Sequence, residues 1–197
     1  MPKVVPGYKE QARNRILNEA RSVFSEKGYH SATMDDVAKA LGVSKGAIYQ
    51  YFRSKKELFL AALDYHAGVR GSVVQSFLQE GGLKALCTEE FFDRMREESM
   101  GSLLLNYDLL RVALSDDTLR KQLRVKHEQW VKGVAEMIQH SLGEKEVSDE
   151  VDFLSLARAV LAIRDGLYGS LIVGGDAKKA RRAWSVSMTR LLGSVLD

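Results

Sequence analysis

The groups in this chain best placed to touch another molecule crowd into one short stretch, Ser44 to Lys55. Gly46 and Ala47 leave the leading edge of a short helix, Lys45 to Tyr51, bare, so that its backbone can approach base edges and phosphates closely. Tyr49 and Tyr51 add long amphipathic side chains. Directly afterwards, Ser54 and Glu57 have the spacing of a capping box at the start of another helix. Backbone amides at that start, together with the Lys55 ammonium, make a clamp for a phosphate; the alternative for Lys55 is a solvated surface charge.

These groups need elements that hold them. Thr33 can cap a helix whose first turn carries Asp35 and Asp36, where the helix dipole favours negative charge. Met34, Val37, Ala38 and Leu41 then recur at spacings of three and four and give that helix one apolar face. Gly42 supplies the permissive backbone that stops it, Val43 is expected to fill the angle between two helices, and Ser44 caps the second. Ala38 is small enough to let the second helix cross closely. This is the pattern of a helix-turn-helix, whose second helix enters the major groove of DNA, although an ordinary helical hairpin can also show an Ala, a Gly and an apolar stripe. A preceding helix, Tyr8 to Lys27, places Ile16, Leu17, Ala20, Val23 and Phe24 on one face and should brace the pair, with Gly28 as a left-handed cap. Ile48 and Phe52 are expected in the core.

Bond-making chemistry finds no comparable constellation. His127 and Glu128 lack the second histidine of a zinc-binding helix motif, and His30, His66 and His140 are scattered. No phosphate-cradling glycine loop is present, because Gly68 to Gly71 falls in a helical context. The single cysteine, Cys87, excludes an internal disulfide and a thiolate metal cluster, and reads as a small apolar residue. The expectation is therefore no enzyme, no metal and no cofactor.

Composition agrees with a DNA contact at one pole. The net charge is +3, but residues 1 to 56 hold eleven Lys and Arg against five Asp and Glu, a balance of +6 that leaves −3 for the rest. Apolar residues make up 45%, enough for a substantial core, and both prolines lie at the extreme N-terminus, so nothing prohibits long helices further on. No apolar run approaches the roughly 20 residues of a membrane span and no signal peptide is visible, which predicts a cytoplasmic protein without membrane contact. Residues 1 to 8 read as a mobile tail; the alternative is a minor-groove role for Lys3 and Lys9.

The run Phe24, Gly28, Tyr29, Thr33, Val37, Ala38, Gly42, Val43, Ser44, Gly46, Tyr49, Tyr51, Phe52, Lys55 and Leu58 resembles the DNA-binding domain of the TetR family of transcriptional regulators. The resemblance covers roughly residues 10 to 60 and is highly specific; the remainder matches only in being helical and of suitable length. It implies an all-α protein with a three-helix DNA-binding domain at 1–56, tail included, and a helical ligand-binding and dimerisation domain at 57–197. It also implies DNA contacts from Thr33, Ser44, Lys45, Gly46, Ala47, Tyr49, Tyr51 and Lys55, with Gln50 reading a base, since Gln can pair bidentately with adenine. Tyr51 stands where such families commonly place His, which keeps a donor to phosphate but not the shape.

Beyond residue 56 a helix should run through Leu58, Phe59, Ala62, Leu63 and His66 to about Gln79 and break at Gly81 and Gly82. Further helices are expected at about 88–105, 107–114, 116–142, 148–173 and 176–195, separated by Asn106, Ser115 to Asp117, Gly143, and Gly174 with Gly175. On the last two, stripes through Leu154, Ala157, Leu161, Arg164 and Tyr168, and through Ala180, Trp184, Met188, Leu191 and Val195, would build a two-fold four-helix interface, or else complete the core of one chain. In the middle helices Phe92, Met95, Leu103, Tyr107, His127 and Trp130, with Arg164 and Tyr168, are what a pocket for a mostly apolar effector needs, and also what a helical core contains. The function implied is a homodimeric regulator, most simply a repressor, that binds a palindromic DNA operator and is released by a small molecule. A sequence-neutral DNA binder is the competing class.

Overall fold

The computed structural model describes residues 7–142 and 151–196. Among them the chain is all-α, with helices α1 (Tyr8–Ser31), α2 (Met34–Leu41), α3 (Lys45–Tyr49), α4 (Lys55–Ala85), α5 (Glu89–Ser115), α6 (Asp117–Ser141), α7 (Phe153–Ile172) and α8 (Ala177–Leu196). Lys3 in the expected tail, the Gly143 turn and the expected helix start at 148 lie outside the described residues. No described helix is long and apolar enough to cross a membrane.

The chain forms two compact units, Met1–Val69 with Met100–Ser115, and Arg70–Ser99 with Asp116–Asp197. In the first, the apolar face of α1 is buried as its periodicity requires: Leu17, Ala20 and Phe24 are fully covered. Val37 and Ala38 of α2, Ile48 of α3 and Leu58, Phe59 and Ala62 of α4 are buried likewise. Phe59 anchors this core, its ring meeting Phe24 edge-on at 5.1 Å and Tyr29 at 4.5 Å. Gly28 breaks α1 at φ +74°, a left-handed geometry that only glycine adopts without strain, and the chain continues helically to Ser31.

The second unit is built from aromatic side chains that converge from distant parts of the chain. Phe91 lies between Phe77 at 5.2 Å and Trp184 at 5.9 Å, while Phe92 packs on Tyr168 at 5.2 Å and Trp184 at 6.0 Å. The indole Nε1 of Trp184 donates to the carbonyl of Leu86 at 2.9 Å, so the polar end of this buried residue is satisfied. A smaller cluster of Val131, Ala135, Ala157 and Leu161 joins α6 to α7. Cys87 is a buried packing residue whose thiol is pushed up in pKa by burial.

Two expectations are corrected here. Helix α5 is continuous from Glu89 to Ser115, so Asn106 does not separate two helices; Asn is only modestly unfavourable inside a helix and no Gly or Pro accompanies it. Val43 does not fill the angle between α2 and α3 but is 44% exposed, whereas Ile48 and Phe52 are buried. In the α8 stripe Ala180, Trp184, Met188 and Val195, together with Leu192, are buried within the chain itself, so these side chains complete the core of one chain, while Leu191 is half-buried. The turn signals at Ser115–Asp117 and Gly174–Gly175 fall where helices end and begin, and α4 loses helical geometry at Gly82.

Candidate nucleic-acid interface and effector cavity

The interface is assembled from caps. Thr33 Oγ1 accepts from the Asp36 amide at 3.1 Å, while the Asp36 carboxylate accepts from the Thr33 amide at 2.9 Å and hydroxyl at 2.7 Å. Lys27 of α1 donates to the other oxygen of Asp36 at 2.7 Å and so ties the start of α2 to the helix that braces it. The bonds from Lys27 and then Thr33 hold the Asp36 carboxyl down at about 2. Only the dipole effect was expected of Asp36; the Thr-x-x-Asp spacing was the available sign of the reciprocal cap.

At the other end of α2, Gly42 takes φ +68° and ψ +30°, and its amide donates to the carbonyls of Ala38 and Lys39. The backbone reverses within one residue. Ser44 then caps α3, its hydroxyl accepting from the Ala47 amide at 3.2 Å. The helix proper has five residues, ending at Tyr49 instead of Tyr51, and its last turn is closed by amides of Gln50, Tyr51 and Phe52 donating to carbonyls of Gly46 and Ile48. Two buried anchors hold it, Ile48 at 0% and Phe52 at 1% exposure, and the Arg13 guanidinium lies 5.3 Å from the centre of the Phe52 ring.

With those anchors inward, Ser44, Lys45, Gly46, Tyr49 and Gln50 are exposed together, and Ala47 and Tyr51 are half-buried at their margin. Thr33 is exposed, but its hydroxyl is committed to Asp36.

Lys55 departs from its expected role. Its ammonium donates to the carbonyls of Tyr29 at 2.7 Å, His30 at 2.9 Å and Ala32 at 2.9 Å, and sits 4.8 Å from the centre of the Tyr29 ring. An ammonium has three donors and all three are used. Burial lowers the pKa of this group, and its charge stabilises the negative end of α1. The capping box that follows is likewise altered: Ser54 Oγ accepts from the Glu57 amide at 3.1 Å, but Glu57 reaches past Ser54 to the Arg53 amide at 2.8 Å.

In the second unit a cavity of about 70 Å³ is lined by α4 to α8. Of the residues expected in a pocket, Met95, Arg164 and Tyr168 line it. Phe92 stands behind, packing on the Tyr168 ring and accepting from its hydroxyl at 3.4 Å through its carbonyl. Burial pushes the Tyr168 hydroxyl well above its ordinary pKa, so it stays a neutral donor. Tyr107 is 45% exposed and belongs to the other unit, His127 is exposed, and Trp130 is half-buried without reaching the lining. The Leu103 side chain lies outside those described. Phe91, Val134 and Met137, which the middle helices also offered for a pocket, line the cavity too, whereas Trp184 and Met188 line it without having been singled out for it. Trp184 and Met188 were legible as an apolar stripe, but a stripe does not say what it faces. Among the described residues no cluster of three or more His, Cys, Asp or Glu is positioned to hold a metal.

A family profile described as bacterial regulatory proteins, tetR family, matches residues 16–62, which span α1 to the first turns of α4. The transcriptional regulator AcuR of Cereibacter sphaeroides is 30% identical over 155 residues, covering 75% of this chain and 70% of that protein. The HTH-type transcriptional activator FasR of Mycolicibacterium smegmatis is 38% identical over 102 residues, 49% of this chain and 46% of FasR. A crystal structure of a TetR-family regulator from Rhodococcus sp. superposes with a TM-score of 0.79 at 23% identity, covering 92% of this chain and 98% of that one. The exposed face of a capped five-residue helix and these likenesses lead to one conclusion: the chain is a member of the TetR family of transcriptional regulators, a DNA-binding protein and not an enzyme.

Proposed function

We propose that the protein is a homodimeric, ligand-responsive repressor that reads a palindromic operator through α3 and is released by a small, largely apolar effector. The observation that carries the reading is the division of α3, with Ile48 and Phe52 fully inward and Lys45, Tyr49 and Gln50 outward. In this reading Ser44, Lys45, Gly46, Ala47, Tyr49 and Tyr51 meet phosphates or base edges, and Gln50 reads a base. Residues 1–56 act as the reader and 57–197 as the body.

One short helix makes too few contacts for a specific site, so two copies are required, about 34 Å apart for successive major grooves. Support for pairing through α7 and α8 comes from residues left exposed once the monomer core is complete: Ala162 and Gly166 on α7, Val173 just after it, and Ala183 and Val186 on α8. Small side chains there permit close helix crossing.

The route from effector to reader is α4. Its first residue, Lys55, is clamped onto the end of α1, and Val74 of the same helix lines the cavity. An effector that shifts α4 therefore disturbs the brace of the reading unit, and changes operator affinity by its own difference in affinity for the two states, typically 5- to 150-fold or about 1–3 kcal/mol.

Selection of bound duplexes from a random pool tests the reading. A two-fold symmetric consensus is expected, and Gln50→Ala should relax the preference at one base pair in each half-site by about 1–3 kcal/mol. Binding without any consensus would leave a sequence-neutral DNA binder in its place. A monomer by sedimentation at micromolar concentration would remove the α7–α8 pairing.

A further inference from the structure

We propose that the cavity takes an apolar monocarboxylate, with the carboxylate on Arg164 and the hydrocarbon among Met95, Met137 and Met188. The inference rests on the reading of this cavity as the effector site.

The lining is apolar except at one place, where Arg164 and Tyr168 face it one helical turn apart on α7. Among the described residues Arg164 has no deeply seated partner. Its Nε and Nη2 both donate to a single oxygen of the neighbouring Asp165, at 2.8 and 2.7 Å, and that carboxylate is 57% exposed. An exposed pair between adjacent residues is worth little, whereas a guanidinium facing a carboxylate that offers both oxygens forms two parallel charge-assisted bonds. A ligand carboxylate arriving from the cavity therefore competes well with Asp165.

The surroundings of Tyr168 favour the same sign of charge. Arg70, Arg96 and Arg164 act electrostatically on its hydroxyl, against Asp165 as the one carboxylate in that set. The Nε of Arg96 lies 3.7 Å from Asp93 and is buried without a hydrogen-bond partner among the described residues. On α5, one turn beyond the cavity residue Met95, the hydroxyl of Ser99 is buried at 6% exposure and also lacks a partner. Arg164 is the one charged residue of the lining, and a guanidinium beside hydrocarbon selects an anionic head on an apolar body. A cationic or zwitterionic head would meet the arginines, and a polyphosphate would have to desolvate against methionine and leucine.

The cavity, about 70 Å³, is tight even for a small ring, so an occupant of about six to eight carbons enters only as side chains move. Met95, Met137 and Met188 line it, and methionine rotates to fit an irregular guest more readily than branched residues do. That rearrangement is also what would displace Val74 of α4, which lines the same space.

Trp184 lines the cavity and reports occupancy directly. The chain has two tryptophans, so Trp130→Phe leaves Trp184 as the sole emitter. Full-length protein carrying that change is titrated with octanoate, 1-octanol and octylamine. Saturable change in Trp184 emission is expected for octanoate with a Kd at least about tenfold below that for octanol, and none for octylamine, one charged contact being worth about that factor. Arg164→Met should erase the tenfold preference while keeping the octanol response, and Arg164→Lys should restore part of it. Ser99→Ala should weaken octanoate about threefold if its hydroxyl also meets the head. Equal or stronger binding of octanol, an unchanged preference in Arg164→Met, or no response to any of the three overturns the inference. Operator affinity is measured in parallel: octanoate that binds at Trp184 without changing it upholds the carboxylate site and overturns the effector reading.

Discussion

The turn around α3 and the cavity between α4 and α8 are held by different kinds of bond. In the first, Thr33 with Asp36, Ser44 with Ala47 and Gly42 with Ala38 close over three or four residues, and one longer clamp, Lys55 onto Tyr29, His30 and Ala32, ties the ends together. In the second, Tyr168 bonds Phe92 across 76 positions and Trp184 bonds Leu86 across 98. Local bonds give a reader whose shape is set almost residue by residue. Remote contacts give a body that can repack, and a body that repacks is what an effector can act on.

The sharpest break in this contrast is at Trp184. Trp184→Ala removes the ring that Phe91 and Phe92 share and strands the Leu86 carbonyl, and should cost about 3–5 kcal/mol in urea unfolding. A loss below about 1 kcal/mol would mean that the body is not organised around this residue. Next is Lys55→Met, which leaves three carbonyls without their charged donor and should cost about 2 kcal/mol, with the salt dependence of DNA binding by folded protein unchanged. A fall of about 0.9 in the slope of log K against log salt would return Lys55 to the phosphate contacts. Thr33→Ala removes one half of a reciprocal cap and should cost about 1 kcal/mol, with the loss read most clearly as faster hydrogen exchange in α2.

The mildest effect concerns acid. Asp36 is held at about 2 when folded, below the ordinary carboxylate value near 4, so its contribution is fully present above about pH 4 and is lost as pH falls toward 2. Asp36→Asn should flatten the stability profile in that window and leave it unchanged near neutral pH, apart from a constant offset; an unaltered acid limb would show that the Lys27 and Thr33 bonds do not persist in solution.

Much of the reader was legible because its signals are short-range. Thr33, Gly42 and Ser44 act within one turn of themselves, so their types and spacing nearly specify the backbone around them. The bonding of Lys55 was not legible because the three carbonyls that hold it, released by the break at Gly28, belong to a segment 23 to 26 positions away. Val43 failed for a related reason: once Gly42 reverses the chain and the Val43 amide bonds Ala38, the side chain is turned outward whatever its hydrophobicity. Asn106 shows the limit of punctuation, since a weak helix former ends a helix only when nothing on either side rewards continuing it.

What the amino-acid order determined alone is the all-helical class, the capped turn from α2 into α3 and the exposed edge of α3, because caps, glycine turns and 3.6-residue periodicity are all settled within about one or two turns of chain. What only the tertiary structure decided is which faces meet: that the α8 stripe closes on its own chain, that Lys55 caps α1, and that Arg164 stands beside methionines at a cavity. An apolar stripe specifies that it must be buried but not against what, and that choice belongs to the packing of the whole unit.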